Sequence, residues 1–429
     1  MSKMKKIIGD VDVSKDLVLL LVIGGLYSLS IALSNTFVNV YLWKQSGKFI
    51  DLAIYNLSIV VMQPLTFIFA GRLAKKVDRV IVLRLGVIFL ASFFLIVLMI
   101  GGSAAKFLIL LGATLGIGYG FYWLAFNVLT FEITEPETRD FFNGFLGVMN
   151  STAGMVGPIV AGVVISRLKN FTGYTTIFTI SLLLFSGAVV LSFFLKRRKA
   201  EGAYLLRRIL HERKNNKNWG LITRAHFFQG LREGTFAFVI GVFVFITTGS
   251  ELALGTFGLV NSAVAFLGYY LATRVIKKKT RKRFILIGGT LLYFSIYLIL
   301  FDLTYQRLLL YAALIAIGYP MLLVPYMSLT FDVIGKAWSA ARARIEYIVV
   351  KEIFLNSGRI VSIVGFIIAV SFFDEKQSIP VLLAIIGAGH FVIYFFVKNV
   401  HLEESEKSIE QTGRKPVLKN NLVDGDSSG

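Results

Sequence analysis

The sequence contains no cysteine, only four histidines, and charged residues at only 16% of its 429 positions. Without cysteine there are no disulfides and no thiolate metal sites, and the histidines lack the spacing of metal ligands. Globular chains usually carry about 25% charged residues. This chain is instead 56% hydrophobic, with a mean hydropathy of +0.72. A water-soluble domain cannot bury that much apolar surface, so we predict a membrane protein with many transmembrane segments.

The sequence also lacks any motif typical of an enzyme site. Its most glycine-rich stretch, residues 112–120, lies inside an apolar segment, whereas a dinucleotide- or phosphate-binding loop joins a strand to a helix. Small residues inside a membrane segment favour close packing of helices. We therefore predict no catalytic residue, no metal and no cofactor.

Twelve apolar segments are each long enough to cross a bilayer, which takes about 20 residues. Six precede a long basic connection and six follow it. We predict an all-α membrane protein in which these segments, called spans 1 to 12, form two pseudo-symmetric six-helix bundles. The predicted spans lie at about residues 17–43, 51–71, 80–101, 106–131, 141–166, 174–195, 221–247, 252–273, 284–302, 308–331, 346–372 and 378–397.

An internal duplication relates the two bundles. Gly118-Tyr119-Gly120 in span 4 recurs as Gly318-Tyr319-Pro320 in span 10, and each apolar stretch ends with an acid, Glu132 or Asp332. Residues 51–53 and 251–253 share the same offset of 200 positions. Such self-similarity at a long period indicates two related halves. Pro320 and Pro325 have no counterpart in span 4, so we expect span 10 to bend more readily.

The basic residues indicate an orientation. The net charge is +20, and most of the 45 Lys and Arg residues fall in segments on the side of the N-terminus. Lys and Arg accumulate in cytoplasmic loops, so we predict cytoplasmic termini in the plasma membrane and no nucleic-acid partner. Residues 204–213 are expected to form either a helix at the lipid headgroups or a solvated linker. The predicted boundaries are an N-terminal tail (1–16), the first bundle (17–195), a basic linker (196–220), the second bundle (221–397) and a disordered tail (398–429).

Two motifs resemble those of a known family. The segment 71–79, Gly-Arg-Leu-Ala-Lys-Lys-Val-Asp-Arg, resembles the G-x-L-A-D-R-x-G-R loop that follows the second helix in the major facilitator superfamily of secondary transporters. Lys75 replaces the acid of that loop, and Asp78 lies three residues later. Gly154 to Gly162 in span 5 resembles the Gly-Pro motif of the family's exporters. With twelve spans in two halves, the chain resembles a bacterial-type member of this superfamily.

The resemblance implies which residues control access from the cytoplasm. In the family the acid of the loop after span 2 helps to lock the cytoplasmic side, and here Asp78 would have to replace it. The duplicated acids lie near basic residues at the same surface, so they are candidates for a gate that opens when the halves rock. The alternative is a set of solvated charges that contribute little. The predicted gate residues are Arg72, Asp78, Arg79, Glu132, Arg139 and Asp332.

Charged residues inside the membrane are the most specific signal. Arg232 and Glu233 lie well inside span 7, while Glu352, Asn356 and Arg359 share one face of span 11. Intramembrane charges usually face a partner or a watery cavity. One interpretation is a structural network that pairs Arg232 with Glu352 or Glu233 with Arg359. The other, which we prefer, is a site for protons or an anionic group, with Glu233 and Glu352 as the proton carriers.

Polar and aromatic residues on other spans are candidates for the substrate cavity. In the family, helices 1, 4, 7 and 10 surround the cavity, and helices 2, 5, 8 and 11 support the interface between the halves. Hydrogen bonding between helices is the alternative role for any single Asn. The predicted cavity residues are Asn35, Asn39, Tyr122, Asn127 and Asn356.

The resulting functional prediction is secondary active transport by alternating access. We expect a monomer that exports a small molecule, in antiport with protons. The absence of a nucleotide site indicates that an ion gradient supplies the energy. An energy-independent uniporter or lipid flippase is one alternative, and a membrane sensor that does not transport is another.

Overall fold

A computed structural model describes residues 14–133, 136–169, 171–197 and 202–402, without the side chains of residues 131, 136–141, 143, 144 and 273. All regular elements in these ranges are helical. Twelve helices in these ranges are long and apolar enough to cross a membrane, which confirms the predicted number. Spans 1 to 6 are Lys15–Ser46, Phe49–Lys76, Arg79–Ile100, Leu108–Ile133, Pro136–Arg167 and Thr172–Ser192. Spans 7 to 12 are Lys217–Thr248, Glu251–Val275, Arg281–Leu300, Tyr305–Gly335, Arg344–Phe372 and Glu375–Val397.

The first span of each half begins and ends in the same way. Ser14 caps span 1 by accepting a hydrogen bond from a backbone N–H two residues into the helix, and Asn216 does the same for span 7. Each helix ends at a glycine in the left-handed region, Gly47 with φ of 64° and Gly249 with φ of 62°. Glycine occupies this conformation without the steric cost that a Cβ adds. The duplication therefore extends to local backbone geometry.

The order of helix contacts repeats between the halves. In the first half span 1 packs on spans 5 and 6, span 2 on span 4, and span 3 on spans 4 and 6. In the second half span 7 packs on spans 11 and 12, span 8 on span 10, and span 9 on spans 10 and 12. Each contact recurs six spans later, so the two halves share one topology.

Two pairs of helices make the most extensive contacts between the halves, namely span 2 with span 11 and span 5 with span 8. The glycine motif of span 5 lies in the second pair. A Cβ on Gly162 would lie 2.7 Å from the carbonyl oxygen of Glu251, so the two backbones touch there. Small residues allow this approach in membrane helices, where packing rather than water exclusion drives association. The pairing agrees with what the family resemblance implies for spans 2, 5, 8 and 11.

The connection between the halves contains a short helix, Leu206–Asn215, called the linker helix below. Its Ile209 is fully buried, and the carbonyl of Ile209 accepts a hydrogen bond of 3.3 Å from the indole of Trp219 in span 7. Arg213 lies over the ring of Phe354, 3.8 Å from its centre. The linker helix is thus packed on the second half. The end of the bundle that carries it is called the linker end, and the other is called the opposite end.

Candidate functional site

A central cavity of about 900 Å³ lies between the two halves. Eight spans line it, spans 1, 2, 4 and 5 from the first half and spans 7, 8, 10 and 11 from the second. Among the described residues, every charged side chain that lines the cavity comes from spans 7 and 11, whereas spans 1, 2 and 4 contribute amides and aromatic rings. The cavity is therefore electrostatically asymmetric, because its charge belongs to one half only.

Close packing of spans 7 and 11 brings the charges together. A Cβ on Gly358 would overlap the backbone carbonyl of Phe227, and a Cβ on Gly230 would overlap that of Leu355. With the two backbones in contact, Arg359 reaches Glu233 and forms an ion pair of 2.6 Å between Nη2 and Oε2. This is one of the two pairings that the sequence analysis named. The glycines explain why the partner of Glu233 comes from span 11.

The other predicted pairing, Arg232 with Glu352, does not form. Glu352 pairs with its own neighbour, with 2.8 Å between the Nζ atom of Lys351 and Oε1. Asn356 lies behind the cavity wall, where its amide oxygen accepts a hydrogen bond of 3.3 Å from Arg359. Glu233 also accepts a bond of 2.8 Å from Gln229, one turn earlier in span 7. The Glu233–Arg359 pair is thus tied at both ends to neighbouring amide side chains.

Arg232 lines the cavity without a carboxylate partner within 4 Å among the described residues. Its side chain is only 1% exposed. The guanidinium donates to the hydroxyls of Tyr319 at 2.7 Å and Tyr311 at 3.4 Å. It also lies over the ring of Phe236, 4.7 Å from its centre. The direct hydrogen bonds and the ring contact of this cation are therefore all with neutral groups.

His390 in span 12 belongs to the same cluster and was missed by the sequence analysis. It is fully buried, its Nε2 lies 3.9 Å from Oε1 of Glu233, and its ring meets that of Tyr319 edge-on at 5.3 Å. Neither ring nitrogen has a hydrogen-bond partner within the part of the chain that is described. A histidine in an apolar span of a chain with only four histidines was the available signal.

The predicted cavity residues fall into two groups. Asn35, Asn39 and Asn127 line the cavity together with Tyr119. Tyr122 does not line it, because its ring stacks on Tyr27 with 4.1 Å between the ring centres, inside the first half. The repeated tyrosines of the duplication, Tyr119 and Tyr319, both face the cavity. The repeat thus locates cavity residues more directly than the polar stripes do.

The duplicated acids form equivalent ion pairs at the linker end. Glu132 pairs with Arg79 at 2.6 Å, and Asp332 pairs with Arg281 at 2.6 Å. Each pair joins the end of the fourth helix of one half to the start of its third helix. The predicted gate residues Glu132 and Asp332 thus have partners within their own halves.

The remaining predicted gate residues are also at the linker end. Asp78 accepts a hydrogen bond of 2.7 Å from the backbone N–H of Val80, so it caps span 3, and it pairs with Arg197 at 3.2 Å. Arg72 is exposed. Arg139 lies outside the residues whose side chains the structure describes. Asp78 therefore caps span 3 and pairs with the residue that follows span 6, and neither contact reaches the second half.

Lys75 makes the contact between halves at the linker end. Its Nζ lies 2.6 Å from Oε1 of Glu346 in span 11 and donates to the carbonyl of Arg342 at 2.8 Å. The backbone N–H of Leu205, just before the linker helix, donates to the same Glu346 oxygen at 2.9 Å. At the residue where the family has an acid, this chain has a base that meets an acid of the other half.

Tyr204 ties the linker into the same contact. Its hydroxyl donates to the backbone carbonyl of Ile68 in span 2 at 3.1 Å. Burial raises the pKa of the Tyr204 phenol above its ordinary value, and the nearby Glu346 carboxylate raises it further. The phenol therefore stays protonated and able to donate at neutral pH.

An ion pair also joins the halves at the opposite end. Lys44 of span 1 pairs with Glu251 of span 8 at 2.7 Å, and the hydroxyl of Tyr174 donates to the same Glu251 oxygen at 3.0 Å. Lys44 and Glu251 belong to different halves, as do Lys75 and Glu346. The cavity thus lies between two ends that are each bridged by charged side chains.

Comparison with known proteins agrees with this architecture. The family model of the Major Facilitator Superfamily matches residues 17–343. The chain belongs to this superfamily. Membership, together with the twelve-span fold, identifies a multi-pass membrane protein of a transporter family. It confirms the family resemblance that the motifs indicated.

The chain is also similar to two bacterial proteins and to one solved structure. It is 65% identical over 429 residues to the "Uncharacterized protein YqgE" of Bacillus subtilis (strain 168), covering 99% of this chain and 100% of that protein. It is 60% identical over 202 residues to the "Uncharacterized protein in sodM 3'region" of Geobacillus stearothermophilus, covering 47% of this chain and 94% of that one. The crystal structure of the human organic anion transporter MFSD10 (TETRAN) matches with a TM-score of 0.65 at 14% identity. That match covers 90% of this chain and 100% of the human one, and it shows a shared fold.

Proposed function

We propose that this superfamily member moves a small molecule across the membrane by alternating access and couples its export to protons. The observation that carries the proposal is the Glu233–Arg359 ion pair, which lines the cavity between the two halves. A carboxylate at this position is reached from the cavity, so protonation there is able to respond to one side of the membrane at a time. Intramembrane carboxylates of this kind mark proton and substrate pathways.

The ends of the cavity supply the alternation. Release of Lys75 from Glu346 opens the linker end, while release of Lys44 from Glu251 opens the opposite end. Both bridges are formed in this structure, and we propose that they break in turn, one for each side of the membrane. The intra-half pairs of Glu132 and Asp332 hold the third and fourth helices of each half together as the halves rock.

Transport is tested with purified protein reconstituted into sealed liposomes. Ligands are found by thermal shift and then used in counterflow, with a trapped pH dye reporting proton movement. We expect flux of a ligand to rise when a pH gradient is imposed, and proton movement to accompany it. Glu233→Gln should abolish the response to the gradient. Flux that ignores the gradient in both proteins contradicts proton coupling and supports a uniporter.

A uniporter is the second candidate, and one observation favours it. Glu233 is held by Arg359 and Gln229 at once, and a carboxylate fixed in this way serves equally well as a structural tie. For a uniporter, Glu233→Gln changes the stability of the protein, and neither the variant nor the wild type responds to the pH gradient. The same liposomes therefore distinguish the two candidates.

We also propose that the linker end faces the cytoplasm, that the protein works as a monomer in the plasma membrane, and that the halves divide at residues 196–220. Because the chain has no cysteine, a single introduced cysteine reports orientation. Lys48→Cys and Lys278→Cys place a thiol at exposed positions of opposite ends. In intact cells an impermeant maleimide should label Lys48→Cys alone. Labelling of Lys278→Cys alone would show that the linker end faces the outside of the cell.

A further inference from the structure

We propose that Arg232 binds the anionic group of an organic substrate in the central cavity. The proposal concerns binding of the anion. Only the subsequent transport of that anion rests on the proposed function. Within the described part of the chain, three cationic side chains line the cavity (Arg232, Lys351 and Arg359), against two carboxylates (Glu233 and Glu352). Two ion pairs account for four of these charges. Arg232 is the cation that is left over, so the lining carries an excess positive charge.

The surroundings of Arg232 hold the guanidinium without neutralising it. A buried cation is costly unless an anion is paired with it, and the hydroxyls of Tyr311 and Tyr319 are neutral. A guanidinium has five N–H donors. The Nε of Arg232 is buried without a hydrogen-bond partner among the described residues. The side chain is thus fixed in place with donor capacity unused, as expected of a site whose anion arrives from outside.

The rest of the lining indicates an organic anion rather than an inorganic ion. The rings of Tyr119, Trp123 and Phe257 line the cavity. Its volume of about 900 Å³ falls in the range of about 300–1,000 Å³ that is typical of sites for small organic ligands. The amides of Asn35 and Asn39 offer neutral donors and acceptors on the wall formed by the first half. The site therefore fits a molecule with one anionic group and an uncharged, partly aromatic or polar body.

A single cysteine in the cavity tests the excess positive charge of the lining directly. Ala237 lines the cavity one turn after Glu233 and is exposed to it, and the chain has no other thiol. The Ala237→Cys protein in detergent is treated with two methanethiosulfonates, the anionic sulfonatoethyl reagent and the cationic trimethylammonioethyl reagent. The labelling rate of the anionic reagent is divided by that of the cationic reagent, and this ratio is divided by the same ratio for a small thiol in solution. We expect the anionic reagent to be favoured by about tenfold, because an excess charge at short range concentrates counter-ions.

Removing the charge should remove the preference. Arg232→Gln in the Ala237→Cys background should bring the normalised ratio to about one, whereas Arg232→Lys should keep a preference because the charge is retained. Arg307→Gln, which removes an exposed arginine outside the cavity, is the matched control and should change nothing. If Arg232→Gln fails to fold, Tyr319→Phe provides the test. It removes a competing acceptor, so benzoate should protect the thiol more strongly than in the parent.

Competitors identify the kind of anion. Benzoate should slow labelling by the sulfonatoethyl reagent, while benzamide of the same shape and inorganic phosphate should not. Equal protection by benzamide, protection by phosphate alone, no charge preference, or no reaction with either reagent each overturns the proposal. None of these measurements needs transport. A preference for the anionic reagent without counterflow of any ligand contradicts the transport function alone. Counterflow of a neutral or cationic ligand without that preference contradicts this inference alone.

Discussion

Lys75 and Glu346 lie 271 positions apart in the chain, yet their side chains meet at 2.6 Å and join the two halves at the linker end. Glu346 is fully buried, and Lys75 is 7% exposed. The family's loop after the second helix has an acid where this chain has Lys75. In this chain the base of the contact lies on span 2 and the acid lies on span 11. The adjoining linker takes part through the N–H of Leu205.

Lys75→Met should weaken this contact strongly. Glu346 would then be a buried charge with only a backbone donor, and breaking a buried ion pair costs about 3–5 kcal/mol. We expect a lower thermal midpoint and faster labelling of a cavity thiol from the linker end. Lys76→Met, which changes the exposed neighbour, should leave both unchanged. The charge swap Lys75→Glu with Glu346→Lys should recover part of the loss, and a swap as damaging as the sum of its single changes contradicts an ion-pair role.

Glu233→Gln and Arg359→Gln should each destabilise the protein by about 1–3 kcal/mol, because each leaves the other, half-buried charge without its partner. The double variant should be closer to wild type than either single one, since both charges are gone. Its gradient-driven flux should nevertheless be lost. A double-mutant cycle of thermal unfolding measures the coupling, and purely additive effects would show that the pair contributes nothing.

Tyr204→Phe should cost about 1 kcal/mol at neutral pH through loss of the hydrogen bond to Ile68. The raised pKa of the phenol sets the pH dependence. The pKa of this phenol is higher in the folded state than the unfolded value of about 10. The protonated phenol therefore stabilises the fold fully at pH values below the unfolded pKa, and the stabilisation is lost as pH rises further. The difference in thermal midpoint between wild type and Tyr204→Phe should be constant from pH 7 to about 9 and then shrink. A difference that grows in alkali contradicts the assignment.

Gly358→Ala should separate spans 7 and 11, because the new methyl group overlaps the backbone of Phe227. Overpacking of this kind costs about 1–3 kcal/mol, and it should also weaken the Glu233–Arg359 pair. Gly365→Ala is the matched control on the same helix, since its nearest neighbour would be a side-chain carbon of Leu382 at 3.8 Å. Thermal unfolding of the two variants, read side by side, checks the prediction. Equal midpoints would show that the helices adjust freely.

Several features followed from the sequence by itself. The number of spans depends on the length of apolar segments, which the bilayer thickness determines, and the twelve helices are confirmed. The two-half organisation was visible in the repeat around Tyr119 and Tyr319, and both tyrosines line the cavity. The charges at Arg232, Glu233 and Arg359 stood out because charge is rare and costly inside a membrane. These signals are local in the chain, so no knowledge of helix neighbours was needed.

The tertiary structure decided which side chains meet. Lys75 had no assigned partner until spans 2 and 11 were packed together, and Tyr122 was assigned to the cavity although its ring stacks inside the first half. His390 joined Glu233 only through the packing of span 12 on span 7. Each of these contacts depends on the rotation and neighbours of a helix. In a membrane, nearly uniform apolar faces leave that rotation unmarked in the sequence, and glycine contacts such as that of Gly358 with span 7 determine it.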